Sequence, residues 1–284
     1  MQSRLPKTRK SVFVAQNLVP MAAKRSAAEA ASSEEAPAFA TKFLDYINET
    51  PTPFHLCAVT GDRLTAAGFT ELSEETAWGS TGSVVAGGKY FYTRNKSTLV
   101  AFVVGGAYKP GGGFKVIGAH TDSPVLKVKP VSKKTDKASG CLQLGVECYG
   151  GGLWHTWFDR DLSVAGSAIV KTAAGGYERR LMHCKRPFMR VPNLCIHLQS
   201  AAERVSFTIN KETHLAPILG IDMEILAEEE LKKEDTDPRH SPAFLSLVAS
   251  ELGCEAADIQ DFDLTLCDTQ LGATWGATFF LKNE

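Results

Sequence analysis

The spacing of apolar positions predicts two helices near the start of the folded part of the chain. Between residues 42 and 48 the apolar side chains recur at helical spacing, and Pro51 ends this first helix. The same spacing predicts a second helix over residues 54–67, with Gly68 as its C-terminal cap. We expect ordered structure from about Phe39 onward.

The pattern then changes to one that is typical of β-strands. Short apolar runs at 84–85 and 90–92 flank the glycine pair 87–88, which predicts a β-hairpin. Residues 99–104 and 114–119 are almost continuously apolar, as in strands that are buried on both faces of a sheet. We therefore expect a buried sheet in this part of the chain.

Residues 126–220 have the pattern of a different, β-rich unit. Short β-like runs are separated there by glycine and proline turns, and they cover 142–149, 167–171, 180–183 and 194–198. Further along, the pattern predicts helices at 221–233 and 242–252, a linker over 234–240, and a strand at 262–266.

Length and charge narrow the classes of function. The chain has 284 residues, about twice the length of a typical domain, which fits one large domain or two smaller ones. Its 31 basic and 32 acidic residues give a net charge of -1, so charge does not favour nucleic acid or a membrane surface as a partner. No apolar run approaches the roughly 18 residues of a membrane-spanning helix. A soluble globular protein is expected.

The start of the chain differs from the rest in charge. Residues 1–28 contain six basic side chains and no acidic one, and Ala-, Ser- and Glu-rich sequence follows up to about Pro37. A basic, acid-free start is typical of organelle transit peptides, but a disordered extension has the same composition. Residues 1–36 are expected to form one or the other, and both interpretations stay open.

The seven cysteines form no Cys-x-x-Cys pair, and the chain starts without a secretory apolar segment. They are expected to be reduced thiols of an intracellular protein. His183-Cys184 and Cys195-Ile196-His197 together imitate a set of four zinc ligands. If both stretches are strands, His183 and Cys184 point to opposite faces, so we do not expect them to share an ion.

The most suggestive residues for chemistry are His120 and Asp122, which follow the apolar run 114–119. Strand alternation places both side chains on the same side of a strand end, where open α/β sheets form their sites. A metal-bound imidazole needs an acceptor for its other N–H, and a nearby carboxylate supplies one. By spacing alone, an ordinary His–Asp hydrogen bond in a turn is the commoner explanation.

Residues 149–162 combine three consecutive glycines with large aromatic side chains. The glycines allow a close approach of the backbone to another surface, or positive φ. Trp154, Trp157 and Phe158 fit an interface anchor, and they fit equally well as core aromatics beside a glycine bend.

Four stretches together carry a family resemblance: Ile117–Pro124, Val146–Leu162, Val191–Gln199 and Asn210–Leu219. In this order they are similar to the motifs of the aspartyl aminopeptidases of metallopeptidase family M18. The likeness extends from about Phe39 to about Gln270, which is nearly all of the chain expected to be ordered.

The resemblance implies an α/β fold in which an α/β/α zinc-aminopeptidase catalytic domain is interrupted by a β-rich dimerisation domain. Residues 37–125 would be the N-terminal part of the catalytic domain, 126–260 the dimerisation insert, and 261–284 the start of the return to the catalytic domain. Family members are cytosolic dodecamers. We therefore expect a homo-oligomer in the cytoplasm, with organelle import by residues 1–28 as the alternative.

The resemblance also implies a chemistry. Members of the family remove N-terminal Asp or Glu from peptides, with two zinc ions in each complete site. On that pattern His120 is a zinc ligand and Asp122 is its orienting catalytic carboxylate. His197 would reach the active site of a neighbouring subunit and contact substrate there.

The sequence departs from the family pattern after Asp263–Gln270, because the later acidic and histidine ligands do not follow. One histidine does not hold zinc tightly. The comparison with the family pattern therefore predicts an incomplete catalytic domain, a C-terminally truncated product, and little peptidase activity of this chain alone. The alternative is a non-catalytic assembly or regulatory subunit that keeps the dimerisation module and joins full-length partners.

Overall fold

A computed structural model describes residues 35–78, 82–136, 140–220, 239–275 and 280–281 of the chain. The predicted extension 1–36 lies outside these residues except for its last two. The predicted helix 221–233 and nearly all of the predicted linker 234–240 also lie outside them. No helix in the described part of the chain has the length and apolarity needed to span a bilayer.

Both predicted N-terminal helices are confirmed, as α1 (Glu35–Glu49) and α2 (Pro53–Ala66). Thr52 caps the start of α2, because its hydroxyl accepts a hydrogen bond from the backbone N–H of His55. At the other end the backbone turns at Gly68, which has a φ of 82°. The N–H groups of Gly68 and Phe69 donate to the carbonyls of the last helical turn, an arrangement typical of a glycine-terminated helix.

A three-stranded sheet follows, with β1 (Thr70–Glu71) parallel to β2 (Lys89–Arg94) and β2 antiparallel to β3 (Thr98–Val103). Helix α2 packs against this sheet, and its Gly61 leaves room for the ring of Phe91. Phe91 is buried, as are Phe54 and Cys57 on the helix. The packing of α2 on β2 therefore forms the small core of this region.

The predicted hairpin at glycines 87–88 is wrong. Residues 84–85 form no strand, and β2 pairs with β3 through the turn at Asn95–Ser97. The reason lies in the backbone of the two glycines, since the N–H of Gly87 donates to Val104 and the carbonyl of Gly88 accepts from Val104. These hydrogen bonds extend the β2–β3 ladder and leave no partner for a separate hairpin.

The predicted burial of the two apolar runs is also wrong. Strand β3 is the edge of its sheet, and Val100 and Val103 are 39% and 59% exposed. The run 114–119 forms no strand, and its Val116 and Ile117 are 87% and 98% exposed. Among the described residues no strand pairs with the outer edge of β3, and none pairs with the run 114–119, so no described strand covers these exposed apolar side chains.

The second sheet is antiparallel and has six strands in the order β7-β6-β9-β4-β5-β8. The strands are β4 (Val125–Asp136), β5 (Cys141–Tyr149), β6 (Leu162–Lys171), β7 (Tyr177–His183), β8 (Ile218–Gly220) and β9 (Ile259–Asp268). They confirm the predicted runs at 142–149, 167–171, 180–183 and 262–266. Strand β9 crosses residue 260, where the sequence placed the end of the insert.

The predicted strand at 194–198 is wrong. This segment ends in a turn at residues 196–198, and its apolar side chains at Leu194, Ile196 and Leu198 are exposed. A short helix, α3 (Ala201–Val205), follows the turn. The segment is exposed along 192–198 and belongs to no strand, so the alternation of its apolar residues does not mark a strand buried on one face.

The main core lies between the six-stranded sheet and helix α4 (Pro242–Leu252), which has the predicted limits. Ser241 caps the start of α4, and Gly253, with a φ of 65°, ends it. From α4 the core includes Phe244 and Val248, both fully or almost fully buried. A two-stranded ribbon of β10 (Thr274–Trp275) and β11 (Phe280–Leu281) ends the described chain. The helices and sheets together confirm the predicted α/β class.

Candidate functional site

His120 and Asp122 lie on an unpaired segment that leads into β4 and joins the two sheets. The expected strand before them is absent, but their side chains are in contact, with 2.9 Å between His120 Nδ1 and Asp122 Oδ1. The side chain of His120 is 90% exposed. The contact occupies Nδ1 of the imidazole and leaves Nε2 facing solvent.

Both flanks of the segment are attached to a sheet. On one side the hydroxyl of Thr121 donates to the backbone carbonyl of Ser97, 2.9 Å away in the β2–β3 turn. On the other side the hydroxyl of Tyr149 donates to Asp122 Oδ2 over 2.6 Å. The two oxygens of the Asp122 carboxylate therefore hold different partners, His120 and Tyr149.

Sequence reasoning missed Tyr149 as a site residue. The side chain reaches Asp122 because β4 and β5 are antiparallel neighbours in a register that pairs Val125 with Tyr149. Val125 is three residues after Asp122 in the chain. The sequence predicted the run 142–149 but no run at β4, so it offered no pairing that would bring Tyr149 to Asp122.

The charges of this cluster follow from the same hydrogen bonds. The hydroxyl of Tyr149, and to a smaller extent the imidazole of His120, hold the pKa of Asp122 below its ordinary value. The hydrogen bond to Asp122 also raises the pKa of Tyr149, because the carboxylate disfavours a phenolate beside it. At neutral pH the arrangement is thus an ionised carboxylate that accepts from a protonated tyrosine.

Lys127 connects this cluster to the centre of the six-stranded sheet. Its ammonium group lies 2.8 Å from Asp263 Oδ1 on β9 and 5.4 Å from the centre of the Tyr149 ring. A cation at this distance over an aromatic face is attracted to the ring. Strands β4, β5 and β9 therefore all contribute to the surroundings of Tyr149.

As a metal centre, this arrangement supplies one well-oriented nitrogen. Imidazole Nε2 is a common zinc donor, and a carboxylate on Nδ1 is the partner that such an imidazole usually has. In residues 35–78, 82–136, 140–220, 239–275 and 280–281, no three His, Cys, Asp or Glu side chains come together to hold a metal ion. The described residues therefore fit a metal as one ligand with its support, and a tight site needs further donors.

The imitation of a zinc set at 183–184 and 195–197 is spread over different surroundings. His183 packs edge-on against His55, with 5.9 Å between ring centroids. Cys184 is buried and its thiol donates to the carbonyl of Arg186, while Cys195 is exposed. The structure does not bring these side chains together.

The glycine and aromatic stretch passes beside the segment of His120. At Gly150, which has a φ of 75°, an added Cβ would contact Pro124 at 3.5 Å. Trp154 is buried, and Trp157 and Phe158 pack against the main core. The structure therefore favours the interpretation of core aromatics beside a glycine bend.

His197 lies on the exposed turn at 196–198, and the contacts of the His120 and Asp122 cluster do not include it. The chain just before this exposed turn is held by Asp159, whose carboxylate accepts from both the backbone N–H and the side-chain amide of Asn193. These hydrogen bonds lower the pKa of Asp159. The turn that carries His197 is therefore firmly held at its start and exposed at its tip.

Comparison with known proteins places this geometry in a family. The model of the aminopeptidase I zinc metalloprotease family (M18) matches residues 46–281. The aspartyl aminopeptidase of Dictyostelium discoideum is 43% identical over 254 residues, covering 84% of this chain and 51% of the relative.

Solved structures agree. A structure of the Ape4 and Nbr1 complex has 41% identity and a TM-score of 0.79, covering 86% of this chain and 46% of that one. The S. cerevisiae mApe1 dodecamer has 28% identity and a TM-score of 0.67, covering 86% of this chain and 51% of that one. The chain spans about half the length of the curated relatives it matches. It belongs to the M18 family of zinc metalloproteases.

Proposed function

We propose that this chain supplies part of the active site of an aspartyl aminopeptidase, with His120 as a zinc ligand and Asp122 as the carboxylate that orients it. The observation that carries the proposal is the contact of Asp122 with His120 Nδ1, which leaves Nε2 exposed to solvent. The family's description as zinc metalloproteases and the name of the relative support it.

The chemistry assigned to the chain's own residues is limited and specific. Asp122 keeps the proton of the neutral imidazole on Nδ1, so that the lone pair of Nε2 is free to bind a cation. With His120 as one of its ligands, a bound pair of zinc ions would supply an activated water and a polarised scissile carbonyl. Substrates would be peptides with N-terminal Asp or Glu, in keeping with the name of the relatives.

The further ligands would come from a second stretch of polypeptide that covers the exposed apolar surface beside His120. That surface includes the edge strand β3 and the run 114–119, where Val116 and Ile117 are almost fully exposed. Exposed apolar patches of this kind mark interaction sites in soluble proteins. By itself, the chain would then turn over substrate slowly or not at all.

Assembly would complete the site in a second way. Residues 126–260 would form the dimerisation domain, and the turn with His197 would enter the site of a neighbouring subunit. The segment 194–198 exposes Leu194, Ile196 and Leu198, which fits an interface. A structural neighbour is described as a dodecamer, and this supports a homo-oligomer here.

The test compares the purified chain with a mixture of the chain and the second half of the D. discoideum relative, both with added Zn²⁺. We expect the mixture to release N-terminal Asp or Glu from peptides and to leave a matched peptide with N-terminal Leu intact. His120→Ala should remove the activity of the mixture, because the remaining ligands would hold the metal poorly.

Three results would each contradict a different part of the proposal. Robust turnover by the chain alone would overturn its dependence on a second stretch. Equal activity of the mixture with and without His120 would overturn the role of that residue. A mixture that assembles but stays inactive would favour the non-catalytic assembly subunit.

A further inference from the structure

We propose that Tyr149 is a positioning residue for His120: its hydroxyl holds the Asp122 carboxylate so that the imidazole keeps its proton on Nδ1 and presents Nε2. The inference rests on the proposed function for its purpose, but its geometry stands without a metal. It assigns a role to a strand residue of the six-stranded sheet in a site formed on the adjoining segment.

The first step is that the His120–Asp122 contact needs a second support. Both residues lie on an unpaired segment, and the imidazole is 90% exposed. Contacts between exposed ionisable side chains contribute little, because water competes for both partners and both side chains lose rotamer freedom. A partly exposed aspartate with one partner would therefore sample several rotamers and release Nδ1 for part of the time.

The second step is that Tyr149 supplies this support with the right chemistry. A hydroxyl that donates to an ionised carboxylate makes one of the stronger hydrogen bonds in proteins, and the distance of 2.6 Å is typical of such a bond. Because the bond is made to Oδ2, it leaves Oδ1 directed at His120. A phenylalanine at this position would keep the ring and lose only the restraint on the carboxylate.

The third step is that Tyr149 is itself fixed. Its backbone belongs to β5, in the register that places Tyr149 opposite Val125 on β4. The ammonium of Lys127 lies over the ring and is paired with Asp263 on β9. Three strands of the large sheet therefore set the position of the hydroxyl. Through its hydrogen bond to Asp122, Tyr149 restrains the segment that carries His120.

The experiment reads the tautomer of His120 in the metal-free chain. Long-range ¹⁵N–¹H spectra of histidine-labelled protein at about pH 8, where an ordinary histidine is neutral, distinguish a proton on Nδ1 from one on Nε2. The signal is assigned with His120→Asn. We expect the Nδ1–H form to dominate, and Tyr149→Phe to lower the ratio of Nδ1–H to Nε2–H by about threefold or more, as the loss of one hydrogen bond implies.

Two variants show whether the effect is specific. Tyr177→Phe removes a tyrosine hydroxyl from β7 and should leave the ratio unchanged. Lys127→Met keeps most of the length of the side chain and removes its charge, so it should lower the ratio by a smaller factor. It also provides an independent test if Tyr149→Phe does not fold. Denaturation midpoints of all variants report whether the fold itself has changed.

An unchanged ratio in both Tyr149→Phe and Lys127→Met would overturn the positioning role and leave the proposed function standing. A wild-type protein in which the proton lies on Nε2 would contradict the ligand geometry of the proposed function as well. The two failures are therefore distinguishable in one set of spectra, without substrate and without zinc.

Discussion

Each of the two sheets contains a largely apolar strand, but one of these strands is buried and the other is exposed. Strand β6 of the six-stranded sheet is paired on both sides and is buried along almost its whole length. Strand β3 of the three-stranded sheet is paired on one side and exposes most of its side chains. The two strands differ in burial because β6 lies between two strands and under the main core, whereas β3 is an edge strand with a single neighbour.

The comparison shows which region is structurally complete within the described residues. The large sheet has α4 against its core face, and nineteen buried residues form one cluster there. The small sheet has α2 on one face and no described element over the exposed side chains of β3. We therefore expect the large sheet to carry the stability of the chain, and the small sheet and the run 114–119 to contribute less.

The largest expected effect comes from Gly166, where β6 and β9 approach closely. In the register of this pair Gly166 lies opposite Leu264, and a Cβ at Gly166 would collide with the backbone of Asp263 and Leu264. Main-chain atoms in the middle of a sheet cannot move aside without breaking the hydrogen bonds between the strands. Gly166→Ala should lower the free energy of unfolding by more than about 3 kcal/mol, measured by chemical denaturation.

The matched control is Gly176→Ala in the turn between β6 and β7. A Cβ at this position would meet only the hydroxyl of Thr172, at an ordinary 3.5 Å. The variant should unfold within about 0.5 kcal/mol of the original chain. If Gly166→Ala were equally mild, the close packing of β6 on β9 would be wrong, and with it the register of the large sheet.

The next effect compares the same substitution in the two sheets. Val164 on β6 is fully buried in the main core, whereas Val100 on β3 is 39% exposed. Val164→Ala should cost about 2 kcal/mol through lost contacts and a residual cavity, and Val100→Ala less than about 0.5 kcal/mol. Equal costs would show that β3 is covered in solution, for example by another copy of the chain.

The sequence predicted those elements whose pattern is decided locally. Helix α4 was predicted at its limits from its apolar run, and the structure shows that these limits are set locally by the cap at Ser241, by Pro242 and by Gly253. Three of the four runs predicted in the β-rich unit 126–220 are strands, and so is the run predicted at 262–266. The strand predicted at 194–198 is wrong because its alternating apolar side chains are exposed. A pattern of alternation does not tell a buried face from an exposed one.

The candidate site was predictable in part for a similar reason. His120 and Asp122 are two residues apart, so their contact follows from local geometry. Tyr149 is 27 residues from Asp122, and its contact depends on the register of β4 and β5, which the hydrophobic pattern leaves undetermined. The contact of His55 with His183 was missed because it joins α2 to β7, and these elements are distant in the sequence.

The smallest effect tests how these two regions are joined. Burial, and then the charge of His183, lower the pKa of His55 from 6.5 to about 4. Burial, and then the charge of Lys185, lower the pKa of His183, and Glu251 opposes this. Both histidines therefore bind protons less readily in the folded chain than in the unfolded chain. The stability that they contribute is fully present above about pH 6.5 and is lost as the pH falls towards 4.

Carboxylates titrate in the same range, so the test is the difference between two curves. His55→Phe keeps an aromatic ring against His183 and removes the proton site, and it should flatten the decline by about 1 kcal/mol between about pH 6.5 and pH 4.5. His155→Phe, at an exposed position, should follow the original chain. If denaturation curves of His55→Phe and the original chain fell in parallel, the two histidines would be solvated in both states. The contact of α2 with β7 would then be looser than the structure shows, because an imidazole that is accessible to water keeps an ordinary pKa.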